Sequence, residues 1–177
     1  MDGPFYVEHL QPYSVQTQVS VTLTATLQIL CPGAVIPHLP ANFFGFPGKT
    51  VRVRVMGICT SAATPGNLDF QINYGAATNN TGINIAGVNV GWAANQAGTT
   101  YIAEFFIRCR SLGTSGTLIG AGLLFIQNTG LVGMPPFGPT VSTVDTTTAN
   151  YLIPQVSRSG STAETITMFE YTMEALN

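Results

Sequence analysis

The sequence predicts an all-β protein: an antiparallel two-sheet sandwich of jelly-roll type, with about eight strands and an extended N-terminal arm. Three observations carry this prediction. Apolar residues recur with a period of two along most of the chain, the signature of half-buried strands. No stretch shows a convincing helical period, and a parallel sheet would need helices as crossovers. The connections are long and rich in Pro and Gly, which favours a double-sheet jelly roll over an up-and-down barrel. There is no internal repeat of fixed period, which argues against a propeller or β-helix.

Residues 1–18 lack clean alternation and read as the arm, ahead of one sandwich domain over 19–177. The arm holds Phe5, Tyr6 and Tyr13. An isolated arm would leave these aromatics in water, so it is expected to dock on its own body or on a neighbour. From Val19 to Leu30, Val19, Val21, Leu23, Ala25, Leu27 and Ile29 alternate with Ser, Thr and Gln, predicting a long first strand. Cys31 to Gly48 is punctuated by Pro32, Pro37, Pro40 and Pro47 and reads as a loop or edge, because proline removes a ladder donor. Its Phe43, Phe44 and Phe46 are expected to pack on something.

Thr50 to Cys59 sets Val51, Val53 and Val55 against Arg52 and Arg54. After the turn Thr64-Pro65-Gly66-Asn67, Leu68, Phe70, Ile72 and Tyr74 alternate with Asp69, Gln71 and Asn73. A weaker strand follows near Ile83 to Val90. In Tyr101 to Arg110, Tyr101, Ala103, Phe105, Ile107 and Cys109 share one face, and the other mixes Ile102 and Phe106 with Glu104, Arg108 and Arg110. Leu112 to Gly116 reads as a hairpin turn into Thr117 to Asn128. That run is apolar on both faces apart from Gly120 and Gly122, as in a strand covered on both sides. Pro135 to Pro139 marks a long loop. Thr140 to Thr147, Tyr151 to Val156 and Glu164 to Met173 complete the predicted strands.

The chain has 177 residues, enough for one domain with a proper core. Charged residues make up 8% of it, about a third of the usual share. Thr, Asn, Ser and Gln solvate the surface in their place, or copies of the chain or a partner cover much of it. Six basic residues and a net charge of -2 argue against a nucleic-acid-binding surface, which needs clustered Lys and Arg. No apolar stretch reaches the ~18 residues of a membrane span. Met1-Asp2-Gly3-Pro4 lacks the basic region and apolar core of a secretory signal, so a chain made in the cytosol, or one already processed, is expected. The odd count of Cys31, Cys59 and Cys109 favours free thiols in a reducing compartment over a Cys59–Cys109 bridge.

Chemistry has little to work with. The two histidines, His9 and His38, lie in the arm and in the first long loop. No G-x-S-x-G elbow, C-x-x-C or H-x-x-x-H spacing occurs. Paired acids for glycoside hydrolysis would have to be gathered by the fold, Asp69 and Glu104 being candidates on predicted polar strand faces. No enzyme, metal or cofactor is expected. Arg52, Arg54, Arg108 and Arg110 form the one patterned charge set, each pair spaced i, i+2 on a strand and so projecting from one face. On neighbouring strands they would form one patch, suited to solvent, to an inter-subunit contact or to an anionic ligand. Ile102 and Phe106 add an apolar stripe beyond core needs. Trp92 with Tyr74, Tyr101, Tyr151 and Tyr171 is the alternative site, a sugar-stacking platform.

Four segments carry a resemblance: Gly48-Lys49-Thr50-Val51-Arg52-Val53-Arg54-Val55, Arg110-Ser111-Leu112-Gly113-Thr114-Ser115-Gly116-Thr117, Val144-Asp145-Thr146-Thr147 and the ending Glu174-Ala175-Leu176-Asn177. In order and texture they resemble small structural proteins of tailed bacteriophages, particularly of phages infecting actinobacteria: head decoration, minor capsid or minor tail proteins. The resemblance implies a jelly roll, trimeric, on the outside of a virion and made in the host cytoplasm, with no catalytic residues. The expected role is a capsid decoration protein that binds the major capsid protein and stabilises the shell. Phe5, Tyr6, Tyr13, Arg52, Arg54, Ile102, Phe106, Arg108 and Arg110 are the expected contact residues. The alternative is a receptor- or carbohydrate-binding head of a tail fibre or minor tail protein.

Overall fold

A computed structural model describes residues 8–31, 36, 38–78, 81–132, 141–159 and 164–176, with the backbone alone for 8–19 and 130–132. Twelve strands follow in order: β1 (Glu8–Thr22), β2 (Gln28–Ile29), β3 (His38–Leu39), β4 (Thr50–Thr60), β5 (Asn67–Gly75), β6 (Ile83–Gly91), β7 (Thr99–Ser111), β8 (Gly116–Ile126), β9 (Gly130–Val132), β10 (Val141–Val144), β11 (Asn150–Arg158) and β12 (Thr165–Ala175). The larger sheet runs β1-β12-β4-β7-β8-β10, with β9 also on β8. The smaller runs β2-β11-β5-β6, with β3 also on β11. All pairings are antiparallel.

Eight of these strands form two four-stranded layers, β1-β12-β4-β7 and β2-β11-β5-β6. The chain crosses between the sheets after β1, β3, β4, β6, β10 and β11. That connectivity is the double Greek key of a jelly roll, as the sequence predicts. The β8–β10 segment extends the first layer past β7. Among the described residues, no helix is long and apolar enough to cross a membrane.

The alternation seen in the sequence becomes the inside and outside of the sandwich. Val51, Val53 and Val55 of β4 and Tyr101, Ala103, Phe105 and Ile107 of β7 point inward and are fully buried. Leu68, Phe70 and Ile72 of β5 and Leu152 and Val156 of β11 meet them from the other layer. Phe70 stacks on Phe105 at 5.7 Å between ring centroids. Tyr171 on β12 reaches across the core and donates to the Leu152 carbonyl at 3.0 Å. This bond meets the hydroxyl's demand for a partner in an apolar interior.

The structure corrects the sequence reading at four places. The expected arm is strand from Glu8 onward, pairing with β12 as far as Thr22 with register shifts at His9/Gln11 and Ser14/Val19. The predicted strand over 19–30 is two strands in different sheets. Between them Thr24 Oγ1 and Thr26 close a local turn, and Leu23 and Leu30 are both buried. The phase changes at the crossing: Leu23 faces inward on β1, whereas on β2 Gln28 stands opposite the inward Val156 and Ile29 opposite Gln155, so Leu30 is fully buried and Ile29 only partly. Phe44 is buried, and Phe43 packs edge-on to it at 5.2 Å, but Phe46 is 48% exposed. Finally, β8 is not covered on both sides within the chain, since Ala121 and Phe125 on its outer face are exposed.

Candidate interaction surface

The outer face of the larger sheet collects the residues that the sequence singled out. Residues directly opposite in an antiparallel ladder point to the same side, so the register defines the surface. On β4 and β7 the outward pairs are Thr50–Arg108, Arg52–Phe106, Arg54–Glu104, Met56–Ile102 and Ile58–Thr100. On β7 and β8 they continue as Ile102–Phe125, Glu104–Leu123, Phe106–Ala121 and Arg108–Ile119. Val141 of β10 lies beyond Ile119. β12 adds Glu170 opposite Met56, Thr172 opposite Arg54 and Glu174 opposite Arg52.

Because β4 and β7 are neighbours, the four arginines do form one patch. They step along a diagonal from Arg110 through Arg108 and Arg52 to Arg54. Arg52 forms an ion pair with Glu174, and its Nε donates to Glu174 Oε2 at 2.7 Å. Arg54 sits in register with Glu104. With Glu104, Glu170 and Glu174, seven of the chain's fourteen formally charged side chains lie on this one face. Here charge is concentrated but balanced.

Above and beside the diagonal the face is apolar. Phe106 is 39% exposed, Phe125 37% and Val141 45%, and Met56, Ile58, Ile102, Ile119 and Leu123 are half-buried around them. Of these, the sequence reading named only Ile102 and Phe106. The outward apolar residues of β8 were visible in the sequence as a strand apolar on both faces. Phe5 and Tyr6 lie outside the described residues. Tyr13 pairs with Tyr171 through the backbone, and its side chain lies outside the description.

The other candidates do not assemble into chemistry. Asp69 and Glu104 project from the outer faces of opposite sheets, so they cannot act on one bond. Among the described residues no three His, Cys, Asp or Glu side chains gather as a metal site would require. His38 lies against the Tyr151 ring at 4.9 Å. The sugar-stacking platform does not form: Trp92, Tyr74, Tyr101 and Tyr171 are all core residues, and only Tyr151 is partly exposed. Cys31, Cys59 and Cys109 are free and buried. A cleft of about 410 Å³ opens beside Pro47, Gly48, Arg108, Arg110 and Ile119, at the cationic end of the face. A second, of about 330 Å³, has one carboxylate, Asp145. The side chain and backbone N–H of Thr147 already bond to that carboxylate.

The four segments that carry the phage resemblance meet at this same end. Gly48 N–H donates to the Cys109 carbonyl, and Cys109 N–H to that of Lys49. The Thr146 N–H donates to the Gly113 carbonyl at 3.0 Å, and the Gly113 N–H to Thr146 Oγ1 at 2.9 Å. Leu176 N–H closes the C-terminal segment onto the Thr50 carbonyl.

No family model matches the chain, and no curated protein matches it by sequence. Among solved structures, it is similar to a protein of unknown function from Shewanella oneidensis MR-1, with 14% identity and a TM-score of 0.38 over 93% of this chain and 84% of that one. It is also similar to a chain in the structure of the infectious bursal disease virus Gt strain, with 16% identity and a TM-score of 0.27 over 91% of this chain and 32% of that one.

Proposed function

We propose that this chain is a virion structural protein, a decoration protein that sits as a trimer on the outside of a phage head and stabilises the shell. The observation that carries the reading is a jelly roll that, among its described residues, gathers apolar side chains and a diagonal of charge on the outer face of the larger sheet. Such a face suits contact with protein. Its cluster of exposed and half-buried apolar side chains beside a charged diagonal, with Arg52 ion-paired to Glu174, is in keeping with the mixed anatomy of an interface. The clustering of the four phage-like segments at one end of that face supports the same reading.

The mechanism is mass action. A cap that binds only the assembled shell adds its binding free energy to the assembled state, and repeated weak contacts across many copies add avidity without any chemistry. The major capsid protein is the partner. Residues 1–7, with Phe5 and Tyr6, are the part of the expected arm that lies ahead of β1.

The test is co-sedimentation of the purified chain with phage heads prepared without it, followed by heating of the decorated and bare heads. Saturable binding and a raised temperature of head disruption support the reading. Heads that neither retain the protein nor gain stability overturn it. Deleting residues 1–7 isolates the arm, because β1 and its pairing with β12 remain. Unchanged head binding by that variant removes the proposed role of the arm.

A further inference from the structure

We propose that the outer face of the larger sheet is covered by a second copy of this chain, the β7–β8 half of each face packing on the other. Three features of the face lead there: its area, its shape and its charge.

With about 4.8 Å between strands and 3.3 Å per residue, β4, β7 and β8 over five outward positions, with the short β10 beside them, span roughly 540 Å². A standard interface takes about 800 Å² from each partner, so the face approaches the size that a stable pair needs. Phe106 and Phe125 alone leave about 150 Å² of aromatic surface open, taking about 200 Å² for each side chain.

The shape is complementary to itself. Phe106, a large exposed ring, stands directly opposite Ala121, a small exposed side chain on the neighbouring strand. Knob and hole therefore sit side by side on one face. Consider a two-fold axis parallel to the strands and passing between β7 and β8. It lays each Phe106 over the other copy's Ala121, and each Ile102 over the other's Phe125. A contact of this isologous kind uses the same patch twice and closes on itself. Two such faces stack as aligned sheets do, at a small angle set by their twist.

The charges fit the same occupant. Glu104 has Arg54 beside it in register on its own sheet, and Arg52 holds Glu174. In this arrangement each Glu104 lies over the other copy's Leu123, so it closes with the neighbouring Arg54 as its partner, because an unpaired ion there would be costly. A strongly acidic or strongly basic partner gains little from such a surface. A second copy is apolar in the same places and brings its Arg52 already paired with Glu174. The inference also accounts for β8, whose sequence is apolar on both faces although the chain covers only one.

Light scattering on the full chain across a wide range of concentration tests this directly. The expected mass is twice 18.7 kDa, or six times that value where trimers of the virion reading pair face to face. Phe106→Arg removes the knob and Ala121→Trp fills the hole. Each is expected to weaken association at least tenfold, while Asn89→Lys on the smaller sheet changes nothing. Both positions are on the surface, and the far-ultraviolet circular dichroism and melting temperature of each variant confirm folding. Two variants at separate positions keep the test open should one fail to fold. A monomer at every concentration overturns the proposal, as does an oligomer whose mass neither variant lowers. A monomer that still decorates heads would overturn it and leave the virion reading standing. A two-fold pair that binds no heads would do the opposite.

Discussion

Phe105 and Gly122 are cross-strand partners on the inner face of the larger sheet, and the Phe105 ring fills the place that a side chain on Gly122 would take. Two residues earlier, a side chain on Gly120 would overlap the Ile85 carbonyl of β6 and the Ala86 methyl. Both glycines are therefore spacers. One lets an aromatic ring lie flat across the strand, and the other lets β8 close against the smaller sheet. Overpacking a core position costs about 1–3 kcal/mol, because the neighbours must leave their rotamers or the backbone must shift. Gly122→Ala and Gly120→Ala are each expected to lose that much in urea unfolding. The larger loss should be at Gly120, where the obstacle is backbone and cannot rotate away. Equal stability of Gly120→Ala and wild type would show that β6 and β8 are not in close approach.

The three cysteines should be silent in the native protein. Burial pushes the Cys31 and Cys59 thiols up to about 12 and raises that of Cys109. The thiolate is the reactive form, so at pH 8 almost none is present in any of them. A chromogenic disulfide reagent is expected to titrate no thiol in the folded chain and three after guanidinium unfolding. A fast-reacting thiol in the native protein would contradict the burial of that cysteine.

How much of this was legible in the sequence depends on which interaction carries it. Period-two alternation reports burial by side chains, and it placed Val51, Val53, Val55, Phe105 and Ile107 on the inside. It also put Arg52, Arg54, Arg108 and Arg110 on outward faces. It says nothing about which strands are neighbours, so the joining of the two arginine pairs by β4–β7 pairing had to come from the structure. Residues 8–14 pair with β12 through the backbone, and the pairing resumes at Val19. Backbone hydrogen bonding leaves no side-chain pattern, and Pro12 with two register shifts breaks what alternation there was, so the first strand read as an arm. Phe125, Leu123 and Ala121 were misread for the opposite reason. Their apolar character records a face that avoids water without recording which molecule shields it.

Asp145 ties down the turn between β10 and β11. Its Oδ1 accepts from Thr147 Oγ1 at 2.6 Å and from Thr147 N–H at 2.8 Å. Its backbone carbonyl accepts from the Tyr74 hydroxyl at 3.2 Å and the Asn150 side chain at 3.3 Å. The bonds from Thr147 favour the ionised carboxylate and lower its pKa below the usual 3.8. A depressed folded value stabilises the protein above the unfolded pKa, and that contribution is lost as pH falls through the folded one. Asp145→Asn keeps the oxygen but not the charge. It should melt below wild type at pH 6, with the gap closing toward pH 2. A gap that is constant with pH would mean that the charge plays no part.

Glu164 should act with the opposite sign. Its side chain is fully buried where the end of β11 meets the start of β12, with Arg158 Nε 3.8 Å from Oε2. Arg158 is itself buried and donates to the Leu23 carbonyl at 2.8 Å. Loss of water around Glu164 raises its pKa above the usual 4.5, opposed by backbone N–H groups of Ala62 and Gly66 and by the Arg158 charge. Desolvation wins because a carboxylate at 3.8 Å has a charge nearby but not a short, well-formed ion pair. A raised folded value contributes stability that is complete below the unfolded pKa and lost as pH rises through the folded one. The protein should therefore become less stable, through this group, as pH climbs from about 4.5 toward neutrality. Glu164→Gln keeps the size and hydrogen-bonding capacity but cannot ionise, so its melting temperature should fall less than that of wild type over the same interval. Parallel curves for the two proteins would mean that Glu164 ionises as easily in the folded chain as in the unfolded one.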